Sequence, residues 1–503
     1  MLRSNTPTIV MFLVYLALMV VIGVVAWRRT KSFDDYIIGG RSLGPGVTAL
    51  SAGASDMSGW LMMGLPGAIF LGGLSEAWIA VGLLLGAYIN WRFVAGPLRV
   101  YTERTGNALT LPDFLTNRFD DRSRILRVFS AVVILVFFAI YCASGVVAGA
   151  RLFESVFGLT YGQAIWLGAS VTVLYTLVGG FLAVSWTDVA QGMMMMFALL
   201  LAPILVFMHT GGFDASIDLI RANDPLQLDW FRGGSLGLVG VLSLLAWALG
   251  YFGQPHILVR FMAAQSVRTI PTARRIAMGW MALCMIGAMS VGFFGIAYFE
   301  TNPSLAAPVL ENPERVFITL VELLFNPWVA GIILAAILAA VMSTLSSQLL
   351  VCSSVLSEDL YRGFFRRQAS QRELVWVGRS SVLAVAILAM WMARDPDSRV
   401  LGLVSYAWAG FGSAFGPVLL LALFWKRMTR NGALAGMVTG AMMVIFWKEI
   451  AVNRMGSELY EMIPGFLSAA AAIIGVSLLG RVPSADVQAT HEQVRLSLKE
   501  TGY

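Results

Sequence analysis

The chain has 503 residues, 58% of them hydrophobic and only 13% charged, with a formal net charge of +6. Soluble domains carry about 25% charged residues, so this composition excludes a soluble domain and describes an integral membrane protein with small loops. The positive charge does not point to a nucleic-acid partner, because the basic residues cluster at the ends of apolar stretches, as orientation signals do.

A membrane-crossing helix needs about 20 mostly apolar residues. Thirteen stretches qualify: 9–27, 47–73, 77–98, 126–150, 162–180, 188–208, 236–258, 275–299, 328–352, 373–393, 400–424, 431–449 and 459–480. They predict an all-α integral membrane protein with about 13 transmembrane helices in a single domain over 1–480. The first run, Ile9 to Trp27, is too long for a signal-peptide core and lacks a small-residue cleavage site. Arg28, Arg29 and Lys31 follow it, as they would a retained helix. With no lipidation motif, the expected location is a bacterial inner (plasma) membrane.

Lys and Arg concentrate after stretches 1 (Arg41), 3 (Arg99 and Arg118), 7 (Arg260), 9 (Arg367) and 11 (Lys426, Arg427 and Arg430), and are sparse in the alternate connections. The positive-inside rule then places the N-terminus outside and the C-terminus in the cytoplasm. The polar tail after Arg481 reads as a flexible cytoplasmic end.

Two stretches contain helix breakers. The second carries Ala52-Gly53-Ala54-Ser55-Asp56-Met57-Ser58-Gly59-Trp60, a carboxylate among residues of poor helix propensity. A charge at bilayer depth costs about 2.5–3.5 kcal/mol on insertion scales, so it persists only where something compensates it. The seventh carries Gly250, Gly253 and Pro255 within six residues, which lowers helix propensity and removes a backbone donor. Interruptions five spans apart, at matching positions of two halves, point to an inverted-repeat transporter and its binding site. The halves are expected at 47–208 and 236–424, with the first and last two spans peripheral.

Span 9 offers Ser343 and Ser347 four residues apart on one face, with Thr344 beside it. These hydroxyls, with carbonyls freed near Ala54 and Met57, suit a hard cation such as Na⁺; alternatively they bond back to their own helix. Asp188 reads either as an acid at the N-terminus of span 6 or as an ion-path carboxylate, and both readings stand. Trp247 and Tyr251 lie four apart on span 7, with Tyr141 and Ser144 along span 4. Aromatic faces suit a small apolar ring or an ammonium group. A half-helix N-terminus at Ser58, Gly59 and Trp60 suits a carboxylate. Together they describe a site for a compact zwitterion such as an amino acid.

Other residues read as scaffold. Met193 to Met196 serve as adaptable packing, and Cys142, Cys284 and Cys352 stand singly in apolar segments. His209, His256 and His491 sit too far apart in sequence to suggest a metal centre. There is no Walker-type phosphate loop and no nucleophile–base spacing, so neither direct ATP hydrolysis nor another enzyme activity is expected.

The combination of Lys31-Ser32-Phe33-Asp34-Asp35-Tyr36, Gly39-Gly40-Arg41-Ser42-Leu43-Gly44, the Ala52–Trp60 segment, Gly179-Gly180-Phe181, Trp186-Thr187-Asp188 and Gly253-Gln254-Pro255-His256 resembles the sodium:solute symporter family over residues 9–480. The resemblance implies a leucine-transporter-type 5+5 inverted repeat with one extra N-terminal helix. It implies Na⁺ as coupling ion, with no other cofactor, bound by Ala54, Met57, Ala340, Ser343 and Thr344, and Asp56 and Asp188 tied to its handling. It further implies L-proline as substrate, held near Ser58, Gly59, Tyr141, Trp247, Tyr251 and Pro255, with Arg41 affecting coupling. Secondary active import by alternating access is the expected activity. Proton coupling, another small solute, a nutrient sensor and a channel are the alternatives, and the oligomeric state stays open.

Overall fold

The computed structural model describes residues 6–28, 33–178 and 180–501. Arg29, Lys31, Ser32 and Gly179, which carry part of the orientation and motif argument, lie outside the described residues. Among the described residues the chain is helical, with no strand beyond an isolated parallel bridge between Leu43 and Ala264. The protein is a multi-pass membrane protein. Ten of its described helices are long and apolar enough to cross a bilayer, or eleven if a bent pair is counted as one span.

That number is below the thirteen stretches expected, for two local reasons. Trp60–Arg104 forms one apolar helical run of 45 residues, because only a short 3₁₀ turn at Gly73–Glu76 interrupts it. Tyr161–Val178 is helical over 18 residues but is not among the ten.

The elements that position the site are α1 (Thr6–Trp27), α2 (Pro45–Asp56), α3 (Leu65–Gly72), α4 (Ala77–Ile89), α5 (Ala95–Arg104), α6 (Leu111–Arg118), α7 (Ile125–Phe157), α8 (Tyr161–Val178), α9 (Phe181–His209), α10 (Gly237–Leu245), α11 (Pro255–Ala263), α12 (Ile270–Thr301), α13 (Pro327–Ser354), α14 (Gln371–Met392), α15 (Val400–Phe424), α16 (Arg430–Phe446), α17 (Met462–Leu479) and α18 (Ala485–Glu500). Burial ranks them: 89% of the core window of Pro327–Phe365 is buried, against 28% for both Thr6–Ala26 and Met462–Leu479. The first and last spans are therefore on the periphery, and α13 is central.

Both expected breaks are present. α2 ends where Met57 leaves helical geometry at φ −81°, ψ 88°, and the chain resumes as a π-turn over Trp60–Gly64. The second break is at Gln254 (φ −82°, ψ 106°), and the halves Gly237–Gly253 and Pro255–Ala263 meet at 45°. Pro255 opens α11 where its missing N–H costs nothing, and it pushes Gln254 into extended geometry. Gly250 and Gly253 let this span lie directly on α15. A Cβ on Gly250 would sit 1.8 Å from Trp408 Nε1, and one on Gly253 would sit 2.2 Å from the Phe411 carbonyl.

Two expectations are corrected by the fold. Arg99, Arg118 and Arg260 are not exposed loop charges: their exposures are 4%, 2% and 0%. Each lies on a helix and is surrounded by it and its neighbours. The tail after Arg481 is not a flexible end, because α18 docks along α5. Its His491, Val494 and Ser497 recur every three residues and are buried, a short amphipathic pattern that mean hydropathy does not detect.

His491 Nδ1 lies 3.4 Å from the Tyr101 hydroxyl. Burial, and then Arg118, hold its pKa down at about 4, with Glu492 opposing them and Arg495 and Lys426 adding smaller downward pulls. The docked helix therefore keeps a neutral imidazole, whereas a free one takes up a proton below about 6.5. Docking is expected at full strength above pH ~6.5 and to weaken as pH falls towards about 4. A nitroxide at Gln493 should gain mobility over that interval, and His491→Leu should abolish the pH response while leaving the helix docked.

Candidate functional site

The first break and the central helix meet at one carbonyl. Ala54 O accepts from Ser343 Oγ at 2.8 Å and from Thr344 Oγ1 at 3.3 Å, and Ser343 Oγ also contacts Ala340 O at 3.1 Å. All four residues are buried. Ser343 thus bonds both back to its own helix and across to α2, so the two readings of these hydroxyls coexist. Met57 is buried beside them in sequence, and its amide donates to Gly53 O at 2.9 Å. Ser347, on the same face as Ser343, accepts from Arg260 instead, at 2.6 Å. Carbonyl and hydroxyl oxygens without a carboxylate in the immediate set suit a monovalent hard cation.

Asp56 faces the other broken span. Its Oδ2 accepts from the Tyr251 hydroxyl at 2.5 Å, and Oδ1 has no hydrogen-bond partner among the described residues. The Asp56 carbonyl, freed by the break, accepts from Trp60 Nε1 at 2.9 Å and from the Tyr141 hydroxyl at 3.5 Å. Ser58 Oγ accepts from the Trp60 amide at 3.3 Å, and Gly59 is so tightly held that a Cβ there would lie 2.5 Å from that of Ala148. Bilayer depth offers no water to these groups, so the neighbouring helices supply the partners that the broken helix loses.

Aromatic residues form the adjoining wall. Trp247 stacks on Tyr460 with centroids 5.8 Å apart, and Tyr251 meets Trp408 edge-on at 5.0 Å. Trp408 Nε1 donates to Trp247 O at 2.9 Å, and Asn90 Nδ2 donates to Tyr251 O at 3.0 Å. A cavity of about 580 Å³ reaches Trp247 and is also lined by Glu76, Arg232, Glu314 and Tyr460. Pro255, buried at the start of α11, precedes His256, whose ring packs on Tyr141 at 5.8 Å. Trp408 carried no sequence signal, because its role depends on Gly250 in a distant segment.

Asp188 requires a correction of position. α9 begins at Phe181, so Asp188 lies two turns inside the helix, where the dipole of the N-terminus no longer reaches. Its Oδ2 accepts from Ser51 Oγ at 2.7 Å and pairs with Arg260 Nη2 at 3.2 Å, both partners fully buried. Arg260 also donates to Ser51 Oγ, His256 O and Ser347 Oγ, and lies over the Phe181 ring. One guanidinium thus ties α2, α9, α11 and α13 together. Its flanks, Ile257-Leu258-Val259 and Phe261-Met262, were the signal that it stands inside the bundle.

Arg41 lies on the Arg-rich face. It donates to Asn107 Oδ1 at 2.9 Å, Thr102 Oγ1 at 3.2 Å, Met262 O at 2.5 Å and Ala108 O at 2.8 Å. Arg99 Nε donates to the neighbouring Ala264 O at 2.5 Å, while the Leu43 backbone donates to Ala263 O and accepts from the Gln265 amide. The ends of the two broken spans, α2 and α11, are therefore tied to each other on this face.

Removing one member of a buried pair leaves an uncompensated charge and costs about 3–5 kcal/mol. Arg260→Met should lower the unfolding temperature sharply, and Arg260→Met with Asp188→Leu should recover part of the loss. Equal destabilisation of the single and double variants would mean that the pairing itself contributes nothing.

Residues 36–440 match the sodium:solute symporter family model. A sodium/proline symporter of Escherichia coli is 63% identical over 484 residues, covering 96% of this chain and 95% of the relative. The Salmonella typhimurium sodium/proline symporter is 62% identical over the same length. A high-affinity proline transporter of Bacillus subtilis is 55% identical, covering 93% and 97%. Among solved structures, a Na⁺-coupled sialic acid symporter in a substrate-bound outward-open state superposes with a TM-score of 0.80 at 21% identity, covering 95% of this chain and 99% of that one; at that identity the likeness is one of fold. The broken spans, their cross-links and the match over most of the chain lead to one assignment: the chain belongs to the sodium:solute symporter family, whose members are transporters and not enzymes.

Proposed function

We propose that the protein imports L-proline by secondary active symport with Na⁺, using the two broken spans as a shared ion and substrate site. The observation that carries this reading is the segment Ala54–Trp60: its first carbonyl meets Ser343 and Thr344, and its carboxylate meets Tyr251. Na⁺ sits among the carbonyls of Ala54, Met57 and Ala340 and the hydroxyls of Ser343 and Thr344, whose protons turn away to present lone pairs. Asp56 acts from two residues away, holding α2 against Tyr251 while Na⁺ holds it against α13.

Proline binds beside this link, against Trp247, Tyr251 and Tyr141, with Ser58, Gly59 and Trp60 towards its carboxylate and Pro255 at the start of the second half-helix. Its pyrrolidine ring suits the aromatic faces and its ammonium suits their negative π clouds. Because both ligands order the same seven-residue segment, each raises the other's affinity by the same factor. The halves 47–208 and 236–424 rock about this site as inverted repeats, supported by the matching positions of the breaks. The Arg-rich face bearing Arg41 is cytoplasmic, the cavity at Trp247 opens outward, and the N-terminus is periplasmic and the C-terminus cytoplasmic. Asp188 and Arg260 lie on the ion's inward route, and Arg41 steadies the closed inner ends of α2 and α11. The inward-negative potential adds about 2.3 kcal/mol per charge per 100 mV to inward Na⁺ movement.

Radiolabelled proline uptake into proteoliposomes tests the reading directly. Accumulation is expected under an inward Na⁺ gradient and not under a pH gradient alone; accumulation driven by protons without Na⁺ or Li⁺ would sink the sodium assignment. A hydrogen bond to a charged group contributes about 1.5–3 kcal/mol, so Tyr251→Phe should raise the half-saturating proline concentration about 10–100-fold. Ser343→Ala should instead raise the Na⁺ requirement, with proline saturation recovered at high Na⁺. Equal effects on both ligands from both variants would remove the division between ion and substrate residues.

A further inference from the structure

Away from the broken spans, the Arg-rich face holds a second cavity, of about 660 Å³, enclosed by the end of α5, the α6–α7 connection and the docked helix α18. Arg104, Arg118, Arg122, Arg124 and Arg127 line it, with Asp120, Asp121 and Asp486 as the acidic counterpart. Arg127 is already paired with Asp113 and Asp359, and Arg124 donates to the Gly363 carbonyl, which leaves Arg104, Arg118 and Arg122 facing the lining acids. Asp121 is engaged by the Ser123 amide and hydroxyl and by the Leu126 amide, and it pairs with Arg430 from outside the lining at 3.5 Å. Asp120 and Arg122 form an exposed pair at 3.4 Å, of a kind that contributes little.

Arg118 is the informative residue. It is 2% exposed, its Nε donates to Ala422 O at 3.0 Å, and its plane lies over the rings of Tyr101 and Phe119 at 5.3 and 5.0 Å. Nη1 and Nη2 have no hydrogen-bond partner among the described residues. A buried guanidinium with its terminal donors unmet is a costly arrangement. Two aromatic faces hold it rigid, which pre-organises its planar fork for bidentate recognition of an oxyanion. The loop is also strained beside it, with Asp120 at φ 46° and Arg124 at φ 60°, both in the left-handed region that few such residues occupy.

We propose that this cavity binds a phosphate-bearing anion, held by Arg118 with Arg104 and Arg122 at its mouth. It lies where the apolar run Trp60–Arg104 ends and the span Ile125–Phe157 begins, so a lipid headgroup and a soluble phosphate can both reach it. α18 contributes Asp486, Val487 and Thr490 to the wall, and its His491 touches the same Tyr101 ring that covers Arg118. Ligand binding and docking of α18 are therefore linked, and the ligand also bears on the α5–α6 connection, whose Thr105 and Gly106 line the cavity next to Asn107, a partner of Arg41.

Thermal unfolding of the purified full chain tests the site. Inorganic phosphate is titrated against chloride at matched ionic strength in one arm, and nanodiscs of phosphatidylcholine alone are compared with nanodiscs also containing phosphatidylglycerol in the other. Stabilisation by phosphate alone identifies a soluble phosphate ligand, by phosphatidylglycerol alone a lipid headgroup, and by both their shared chemistry; each supports the site. Arg104→Gln with Arg122→Gln should weaken the response about tenfold or more while leaving Na⁺-driven uptake in place, and keeps the test open if Arg118→Gln does not fold. No stabilisation in either arm, or an unchanged response in the double variant, would overturn the proposal.

Discussion

A broken helix inside a bilayer loses backbone partners that water cannot replace, and the arrangement of this bundle follows from meeting that demand. At the α2 break, the carbonyls of Ala54 and Asp56 are taken up by Ser343, Thr344, Trp60 and Tyr141, and the Asp56 carboxylate by Tyr251. Every donor except Trp60 comes from another helix. The break is therefore stable only while α7, α13 and the second broken span stay in place, so any movement among them is transmitted to this segment.

The second buried polar node stands one turn away on the same helix. Ser51 joins Asp188 and Arg260, and Arg260 reaches Ser347, one turn beyond Ser343 on α13. The two nodes thus join the same pair of helices, α2 and α13, at successive levels. A buried ion pair is weak as a source of stability but strict about geometry. Here it sets the register of α2 against α9, α11 and α13, which the proposed cation cage depends on. Small residues complete the fit: Gly250 and Gly253 allow α15 to lie against the second break without a side chain between them.

The Arg-rich face shows the same use of guanidinium groups on backbone carbonyls. Arg41 and Arg99 close over the end of α11, whereas Arg118 gives one donor to α15 and has two without a partner among the described residues. That contrast separates arginines that tie helices together from one whose remaining donors suit a ligand. The docked α18 lies over the latter and gives the polar terminus a structural role.

Membrane class, the all-helical fold, both breaks and the residues around them were legible in the sequence. Apolar stretches of spanning length, helix breakers and a charge among apolar residues are local properties that need no knowledge of contacts. Partners were not legible, because they are set by segments far apart in the chain. That Asp56 meets Tyr251, that Arg260 is paired with Asp188 and is not a loop charge, and that Trp408 lies against Gly250 depend on how helices pack. Span boundaries suffered for the same reason: an apolar run looks alike whether it is one long helix or two, as in Trp60–Arg104, and Asp188 was placed at a helix start that lies two turns earlier. The sequence by itself determined that a charged, interrupted helix must be compensated within the membrane; only the tertiary structure decided which groups compensate it, because hydrogen-bond geometry is a property of packed helices and not of their composition.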